Sequence, residues 1–480
     1  MCCVKKEELP MKFHVNRKIL LCWVAFFVLL VLECAVRWVS KQFGRINLDE
    51  ILLVVQLGAD GVDAGLLWSF GKKVILRALG WSIVLTVLGH YLRKYKYTNV
   101  IICMALFLLL LLRLGTANVQ LGSFFAYEKS LFYEQHYVAP ETADIKFGKK
   151  RNVLMIVLES MEKTYANEDL FGSGGLTPNI TKLEKDNVSF ERYEVLSGLS
   201  HTIAAITGMV TGLPLFFSSY RNVEKMLGAS GIGNVFVNNG YQTWSFFSAS
   251  GQFSLKENFL ARMGFENIYD GVRFRSMLEH ELEEYPFDGV DDASMFSMAK
   301  PMISDIIKSD KPYFILMETI NTHLKGYFTQ ACRDMGFAQE NMEDIAKCED
   351  KIVYDFVKWF QKQDPSAVVI LINDHKQHAG EIMSKLETVE KRPLNNVFIN
   401  TNAFKAVDLN RPVSAMDFFP TIIEVAGGKI NGCRLGLGTS LTKRCADVQT
   451  LREQFKDSEL EKLMEQKNDL YYKLSIGGIK

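Results

Sequence analysis

Six consecutive apolar residues, Val153–Leu158, run directly into a carboxylate and a hydroxyl at Glu159 and Ser160. An apolar run without alternating polar residues is typical of a parallel strand that is covered on both faces. In open α/β sheets, ligands bind beyond the carboxyl ends of such strands, which is where Glu159 would lie. The run alone fits equally well a core strand whose next residue turns into solvent.

A second apolar run, near the end of the chain, has the same form. Residues 367–372 are followed at once by Asn373, Asp374 and His375. Other apolar runs alternate with segments of helical spacing, which favours a doubly wound α/β sandwich with a mostly parallel sheet. We therefore expect Glu159 and the Asp374–His375 pair to gather at one edge of that sheet.

Two carboxylates and an imidazole at one sheet edge form a ligand set for a divalent cation. A mixed set of oxygen and nitrogen ligands suits Mn²⁺, Mg²⁺ or Zn²⁺. An isolated Asp-His pair is more often structural, and it is the presence of ligands after two strands that favours a metal site. We predict that Glu159, Asp374 and His375 bind one such ion.

The segment Ser197–Pro214, between the two strands, is rich in hydroxyls and small residues. Ser200 or Thr202 could start a helix whose N–H groups point at an anion. A hydroxyl at a helix N-terminus beside a metal can attack a phosphorus or sulfur ester, because the metal lowers the hydroxyl pKa. Taken alone, the segment more often marks an ordinary helix cap.

Hydrophobic residues are concentrated in the first quarter of the 480-residue chain, whose formal charges balance to zero. The balanced charge gives no indication of nucleic-acid binding. We predict a transmembrane region at 1–119 with about three spans. The spans are expected at 19–39, 74–92 and 98–115.

The segment at 50–70 is also apolar, but Asp60 and Asp63 would be costly at the centre of a bilayer. We predict that it is interfacial or re-entrant. Three crossings from a basic, cytoplasmic N-terminus would place the rest of the chain outside the cytoplasm, whereas four would leave it inside. The parity of the spans therefore decides the compartment.

After the apolar region we expect a juxtamembrane linker at 120–150, an α/β domain at 151–447 and a helical tail at 448–480. The tail is highly charged, so we predict a solvated surface helix. The domain holds an even number of cysteines, whose close spacing fits two short disulfide loops in an oxidising compartment. The pairs are Cys332 with Cys348 and Cys433 with Cys445, and buried free thiols are the alternative.

Several segments, in this order, resemble the motifs of the alkaline phosphatase/sulfatase superfamily. They are Asn152–Ser160, Thr177–Leu183, the Ser-His-Thr202 helix start, Asn373–His375 and Asp417–Gly427. Within the superfamily the chain most resembles membrane-anchored phosphoglycerol transferases, namely lipoteichoic acid synthases and the enzymes that decorate periplasmic glucans. The likeness to the glucan-modifying branch extends to Asn234–Tyr241, Lys256–Leu260, Thr319–His323, Ala346–Asp350 and Gly436–Leu441. The resemblance covers roughly residues 150–445 and implies the α/β sandwich already favoured.

The resemblance also implies roles for particular residues. Thr202 would be the nucleophile and, with Glu159, Asp374 and His375, would surround one Mn²⁺ or Mg²⁺, with Zn²⁺ also possible. His323 matches a histidine that contacts the phosphoryl or head group. His378 lies in a segment that departs from the family pattern, and it is a candidate substrate contact.

In that family, phosphoglycerol passes from a phosphatidylglycerol-type membrane lipid to a glycan or polymer hydroxyl through a phospho-threonine. The family also implies a multi-pass protein of the bacterial cytoplasmic membrane with an extracytoplasmic, periplasmic catalytic domain. Phosphoethanolamine transferases, which modify lipid A or surface polysaccharide, share these positions and are the main alternative. An inactive membrane-anchored glycan-binding scaffold is a third possibility.

Overall fold

The computed structural model describes residues 17–43, 68, 70–92, 95, 97–116, 129–216, 226, 228–282, 284–378 and 380–477. The chain divides into two compact units, one of residues 1–48 and 62–120 and one of residues 49–61 and 121–480. The predicted interfacial segment at 50–70 lies outside the described residues, apart from Trp68 and Phe70.

The first unit contains three apolar helices. They are α1 (Arg17–Phe43), α2 (Arg77–Tyr91), which continues a π-helical stretch at Gly71–Leu76, and α3 (Thr98–Thr116). By length and composition, two described stretches can cross a membrane, Arg17–Trp38 and Gly71–Tyr91, whereas Thr98–Leu114 is a shorter apolar helix. The predicted third crossing, and with it the side on which the chain continues, stays a prediction.

An ion pair joins α1 to α3 inside this unit. Arg113 Nε lies 3.2 Å from Glu33 Oε1, and Glu33 is buried. Ionisable side chains are costly in hydrocarbon unless they are paired. The pair therefore reduces the cost of placing Arg113 near the end of an apolar helix.

The second unit is built on a six-stranded sheet with the order β5-β4-β6-β2-β7-β8. Its strands are β2 (Val153–Leu158), β4 (Gln242–Phe247), β5 (Asn267–Tyr269), β6 (Tyr313–Glu318), β7 (Val368–Asn373) and β8 (Asn396–Ile399). All neighbours are parallel except β8, which runs antiparallel to β7. The predicted α/β class with a mostly parallel sheet is confirmed.

The shorter strands form two-stranded pairs around this sheet. They are β1 (Ile145–Phe147) with β10 (Gly428–Ile430), β3 (Arg192–Tyr193) with β9 (Pro412–Val413), and β11 (Arg434–Leu435) with β12 (Gly438–Thr439). The first of these pairs ties the segment before β2 to the end of the domain.

The helices of this unit, α4 to α18, surround the sheet. They are α4 (Phe132–His136), α5 (Glu168–Phe171), α6 (Pro178–Asp186), α7 (Thr202–Thr211), α8 (Ile232–Asn238), α9 (Lys256–Arg262), α10 (Gly271–Arg275), α11 (Asp292–Ile307), α12 (Gln330–Asp334), α13 (Met342–Gln363), α14 (Met383–Leu386), α15 (Ala415–Val425), α16 (Leu451–Gln454), α17 (Asp457–Glu465) and α18 (Asp469–Ile476).

Strand β2 lies at the centre of the sheet and is buried along its whole length. Its alternate side chains enter two separate hydrophobic cores. Val153, Met155 and Val157 belong to one core, and the other three apolar residues of the strand belong to the second. A strand with a core on each face needs no polar face, which explains why its sequence does not alternate.

The C-terminal tail is helical, but the prediction that it is solvated is wrong. Leu460, Met464, Tyr471 and Leu474 are buried against the main core, and Tyr133 Oη donates to the Met464 carbonyl at 3.0 Å. The charged residues dominate the composition of the tail, whereas a narrow apolar stripe decides its packing. The described part of the predicted linker, from residue 129 onward, folds with the domain.

Both cysteine pairs are joined as disulfides, Cys332 to Cys348 and Cys433 to Cys445. The first links α12 to α13, and the second closes a loop between β10 and α16. The alternative of buried free thiols therefore does not describe these four residues.

We expect the double variant Cys332→Ala/Cys348→Ala to have a free energy of unfolding about 3 kcal/mol below that of the wild-type chain, because the cross-link restricts the unfolded chain. The two cysteines are 16 residues apart. Denaturant unfolding of the full chain in detergent, under oxidising conditions, measures the difference. A second variant, Cys433→Ala/Cys445→Ala, removes the other disulfide, whose cysteines are 12 residues apart. Unchanged unfolding in both double variants would contradict a stabilising role.

Candidate active site

The site lies at the carboxyl ends of three adjacent strands, β6, β2 and β7. The register pairs Val157 with Glu318 and Leu158 with Asn373. Glu159 and Asp374 therefore leave the sheet side by side, as the carboxyl-edge argument requires.

Glu159 is fully buried and is held on both sides of its backbone. Its N–H donates to Thr319 Oγ1 at 3.0 Å, and its carbonyl accepts from Thr322 Oγ1 at 2.5 Å. Ser160 Oγ donates to Glu159 Oε1 at 2.7 Å. Ser160 has a φ of 52°, a left-handed conformation that only a constrained turn imposes on a serine.

Thr202 is the first residue of α7, and its hydroxyl points at Glu159. Thr202 Oγ1 donates to Glu159 Oε2 at 2.9 Å and lies 3.3 Å from His375 Nε2. Helix α7 packs closely on α15 at Gly208. A Cβ added to Gly208 would lie only 3.2 Å from the Ala415 side chain. The first N–H groups of a helix have no partner within it, so those at the start of α7 can stabilise negative charge near Thr202.

Among the described residues, Asp374 accepts hydrogen bonds through only one of its carboxylate oxygens. Oδ1 accepts from Ser160 N at 2.9 Å and from His375 N at 2.6 Å. Oδ2 is buried without a hydrogen-bond partner among the described residues. A buried, unpartnered carboxylate oxygen is costly unless a cation or a proton satisfies it.

His375 uses one ring nitrogen for a backbone hydrogen bond, and its other ring nitrogen faces the site. Its Nδ1 donates to the Lys376 carbonyl at 2.9 Å, so Nε2 is the nitrogen that can bind a cation. Nε2 lies 3.3 Å from Asp374 Oδ2 and 3.5 Å from Glu159 Oε1.

These residues fit the predicted divalent cation. One ligand atom from each of Glu159, Asp374 and His375 lies within 4.8 Å of the other two, and all three residues are buried. The unpartnered Asp374 oxygen and the free His375 nitrogen face the same space. Two carboxylates and an imidazole suit Mn²⁺, Mg²⁺ or Zn²⁺.

The protonation of these groups shows why the site favours a cation. Burial, followed by the negative charge of Glu159, raises the pKa of Asp374 to about 8. Burial opposes a charge on His375, but the Asp374 and Glu159 carboxylates together raise its pKa. Burial also opposes ionisation of Glu159, yet His375 and hydrogen bonds from Ser160 and Thr202 lower its pKa. Two carboxylates here share one positive partner, and a metal ion would provide a stronger one.

His323 lies beside this group, on the segment that follows β6. Its ring meets Phe287 edge to face with centroids 4.5 Å apart. Burial lowers its pKa, against the attraction of Glu159. Nδ1 is buried and has no hydrogen-bond partner among the residues that the structure describes. The imidazole is therefore neutral at pH 7 and able to accept a proton.

His378 contacts both His375 and the loop before Thr202. Its ring stacks on His375 with centroids 4.7 Å apart, and its Nε2 donates to the Ser200 carbonyl at 2.7 Å. Burial, followed by the positive charge of His375, lowers its pKa. This geometry connects the loop after β7 to the loop before Thr202, and a role of His378 in substrate binding stays a prediction.

A buried ion pair beside the site was not predicted from the sequence. Lys256 Nζ contacts Glu318 Oε1, and both side chains are at most 2% exposed. Glu318 ends β6 just as Glu159 follows β2, so the same strand-end argument could have identified it. Lys256 begins α9, and no local pattern distinguishes it from a surface lysine.

Comparisons with known proteins identify the family of the α/β domain. The family model described as Sulfatase matches residues 151–428, more than half of the chain. Phosphoglycerol transferase I of Escherichia coli O6:K15:H31 (strain 536 / UPEC) is 24% identical over 311 residues, which cover 61% of this chain and 39% of that protein. Phosphoglycerol transferase I of Shigella flexneri has the same identity and coverage. The matched region therefore spans about two fifths of the length of these relatives.

One solved structure shares the architecture of this chain. The lipooligosaccharide phosphoethanolamine transferase A of Neisseria meningitidis, named an integral membrane protein, is similar with a TM-score of 0.50 and 12% identity over 85% of this chain and 84% of that chain. The lipoteichoic acid synthase of Listeria monocytogenes has a TM-score of 0.49 and 16% identity over 63% of this chain and 79% of that chain. At 12% identity the first likeness shows the fold alone. The chain belongs to the sulfatase family.

Proposed function

We propose that this chain transfers phosphoglycerol from a phosphatidylglycerol-type membrane lipid to a glycan or polymer hydroxyl through a phospho-threonine. One observation carries the proposal: the Thr202 hydroxyl lies against Glu159 and His375 at the start of a buried helix. The similarity to phosphoglycerol transferase I supports the choice of transferred group.

In the first half-reaction, Thr202 Oγ1 forms a bond to the phosphorus of the lipid. The bond from phosphorus to the diacylglycerol oxygen breaks, and that oxygen takes up the proton that the Thr202 hydroxyl gives up. The Glu159 oxygen that accepts the hydrogen bond from Thr202 is within reach of the hydroxyl proton. The N–H groups of the first turn of α7 stabilise the charge that develops on the phosphoryl oxygens.

In the second half-reaction, the acceptor hydroxyl attacks phosphorus and the bond to Thr202 Oγ1 breaks. The acceptor must lose its proton, and His323 is the neutral imidazole at this edge of the site. The protonated histidine then gives this proton to Thr202 Oγ1 as the bond to phosphorus breaks, which restores the hydroxyl. The lowered pKa of His323 favours its role as the base of this second step.

Glu159, Asp374 and His375 would hold a divalent cation, with Thr202 adjacent. When bound, such a cation lowers the hydroxyl pKa and offsets negative charge on the phosphoryl oxygens. Manganese or magnesium is our choice because oxygen ligands predominate, and zinc is the alternative.

We place the catalytic domain outside the cytoplasmic membrane of a bacterium, anchored by several helices of residues 1–119. The two disulfides of the domain support an oxidising compartment. The lipid donor and the glycan or polymer acceptor are the expected partners.

The test uses the full-length chain in vesicles that contain either phosphatidylglycerol or phosphatidylethanolamine, with Mn²⁺ and a soluble glucan acceptor. Mass spectrometry of the acceptor identifies the added group. We expect phosphoglycerol on the acceptor and diacylglycerol in the membrane. Addition of phosphoethanolamine alone would establish the alternative head group, and binding of glucan without either addition would establish the scaffold.

A further inference from the structure

The short segment Thr319–His323 is hydrogen-bonded to the backbone of Glu159 and ends at His323. Its first residue accepts a hydrogen bond from the Glu159 N–H, and Thr322 donates to the Glu159 carbonyl. The segment ends on His323, whose imidazole lies at the same edge of the sheet. Any displacement of this segment therefore moves both the backbone of Glu159 and the ring of His323.

A buried carboxylate holds the middle of the segment. Asp292, the first residue of α11, is fully buried. Its Oδ2 accepts from Ile320 N at 2.9 Å and from Asn321 N at 2.7 Å, and its Oδ1 accepts from Ser248 Oγ at 2.5 Å. These two backbone N–H groups follow the end of β6 and bond to this side chain instead of to a strand.

A second carboxylate completes the anchor. Asn321 Nδ2 donates to Glu349 Oε2 at 2.9 Å, and Asn321 Oδ1 accepts from Asp292 N at 3.3 Å. Burial, followed by the negative charge of Asp292, raises the pKa of Glu349 well above its usual range. Burial raises the pKa of Asp292 to about 7, whereas the hydrogen bonds that it accepts from Ser248, Asn321 and Ile320 oppose this rise.

We propose that Asp292 is a positioning residue for the transfer reaction, fixing the segment Thr319–His323 so that His323 and Glu159 keep their places at the phosphoryl site. In the described part of the chain, Asp292 makes no hydrogen bond or ion pair with Glu159, Thr202, Asp374 or His375. It acts through the backbone of Ile320 and Asn321. This inference rests on the proposed function.

The test is Asp292→Asn in the full chain, assayed in the same vesicles. An amide can rotate only one acceptor oxygen toward these donors, so the segment shifts. We expect kcat for transfer to fall about 10- to 100-fold, as for a small misplacement of reacting groups. The KM for lipid should change by less than about threefold, because the helix start at Thr202 is untouched.

Asp350→Asn is a matched control. Asp350, in α13, is likewise a buried carboxylate that accepts hydrogen bonds from two backbone N–H groups. These are Ile180 N at 2.8 Å and Asn179 N at 3.0 Å. It caps α6 and, among the described residues, makes no hydrogen bond or ion pair with the segment Thr319–His323. We expect it to lower stability without lowering kcat per folded molecule.

Thr322→Val provides a second route that leaves Asp292 intact. It removes the hydrogen bond to the Glu159 carbonyl and should reproduce the loss of kcat even if Asp292→Asn fails to fold. Wild-type kcat in both variants, or an equal loss in Asp350→Asn, overturns the inference while the proposed function stands. A wild-type chain that transfers nothing from either lipid overturns the proposed function and this inference together.

Discussion

Thr202→Ala is expected to lower kcat for phosphoglycerol transfer by about 10⁴-fold or more, because the variant has no nucleophile to form the phospho-threonine. The three predicted metal ligands are untouched, and alanine is a good helix former at the start of α7. Diacylglycerol release from phosphatidylglycerol vesicles measures the rate. Calorimetric titration with Mn²⁺ should show affinity near that of the wild-type chain.

Two variants in the same helix sharpen this result. Thr202→Ser keeps a hydroxyl and should retain measurable transfer. Thr207→Ala removes a hydroxyl that bonds within the helix, to the Ile203 carbonyl at 2.7 Å, and should leave kcat unchanged. Transfer by Thr202→Ala at the wild-type rate would eliminate the assigned nucleophile.

Asp374→Asn is expected to weaken Mn²⁺ binding by at least about 10²-fold, because an amide cannot provide the second charged oxygen of the ligand set. The amide oxygen can still accept from Ser160 N and His375 N, so the loop after β7 keeps its hydrogen bonds. Removing one of two close carboxylates also relieves their repulsion. The metal-free variant should therefore be at least as stable as the metal-free wild type, but Mn²⁺ should no longer raise its Tm.

The pH dependence of metal affinity is the second part of this prediction. The pKa of Asp374 is raised to about 8 in the metal-free chain, and a ligand must lose its proton to bind a cation. Below about pH 8, binding expels that proton, so the affinity for Mn²⁺ should rise about tenfold per pH unit for each proton released and level off above it. Titrations from about pH 6 to pH 9 measure the slope. A wild-type affinity that does not change over this range would contradict the raised pKa of Asp374.

The sequence contained a strong signal for the strands that carry the site. The apolar runs at 153–158 and 367–372 end in ligand residues, and both runs form buried parallel strands that are neighbours in the sheet. Such a strand needs only a local pattern, because a core covers each of its faces. The disulfide pairs were also accessible, since close spacing of cysteines restricts their possible partners.

Other parts of the site depend on residues that are distant in sequence. Lys256 meets Glu318 across 62 positions, and Asp292 meets Asn321 across 29. A charged residue in a helix start has the same local sequence whether it faces water or a buried carboxylate, so no pattern distinguishes the two cases. The packing of the C-terminal helices was missed for a related reason. Their few apolar residues are interspersed with charged residues, so the sequence does not indicate that these side chains are buried in the main core.

The sequence by itself therefore determined the α/β class, the strand ends that carry Glu159 and Asp374–His375, and a helix start at Ser200 or Thr202. Only the tertiary structure decided which oxygen of Asp374 lacks a partner, which nitrogen of His375 faces the site, and how Asp292 holds the segment that ends at His323. The first group follows from the period and length of apolar runs, which are local properties. The second depends on hydrogen-bond geometry between elements that meet only when the sheet is complete.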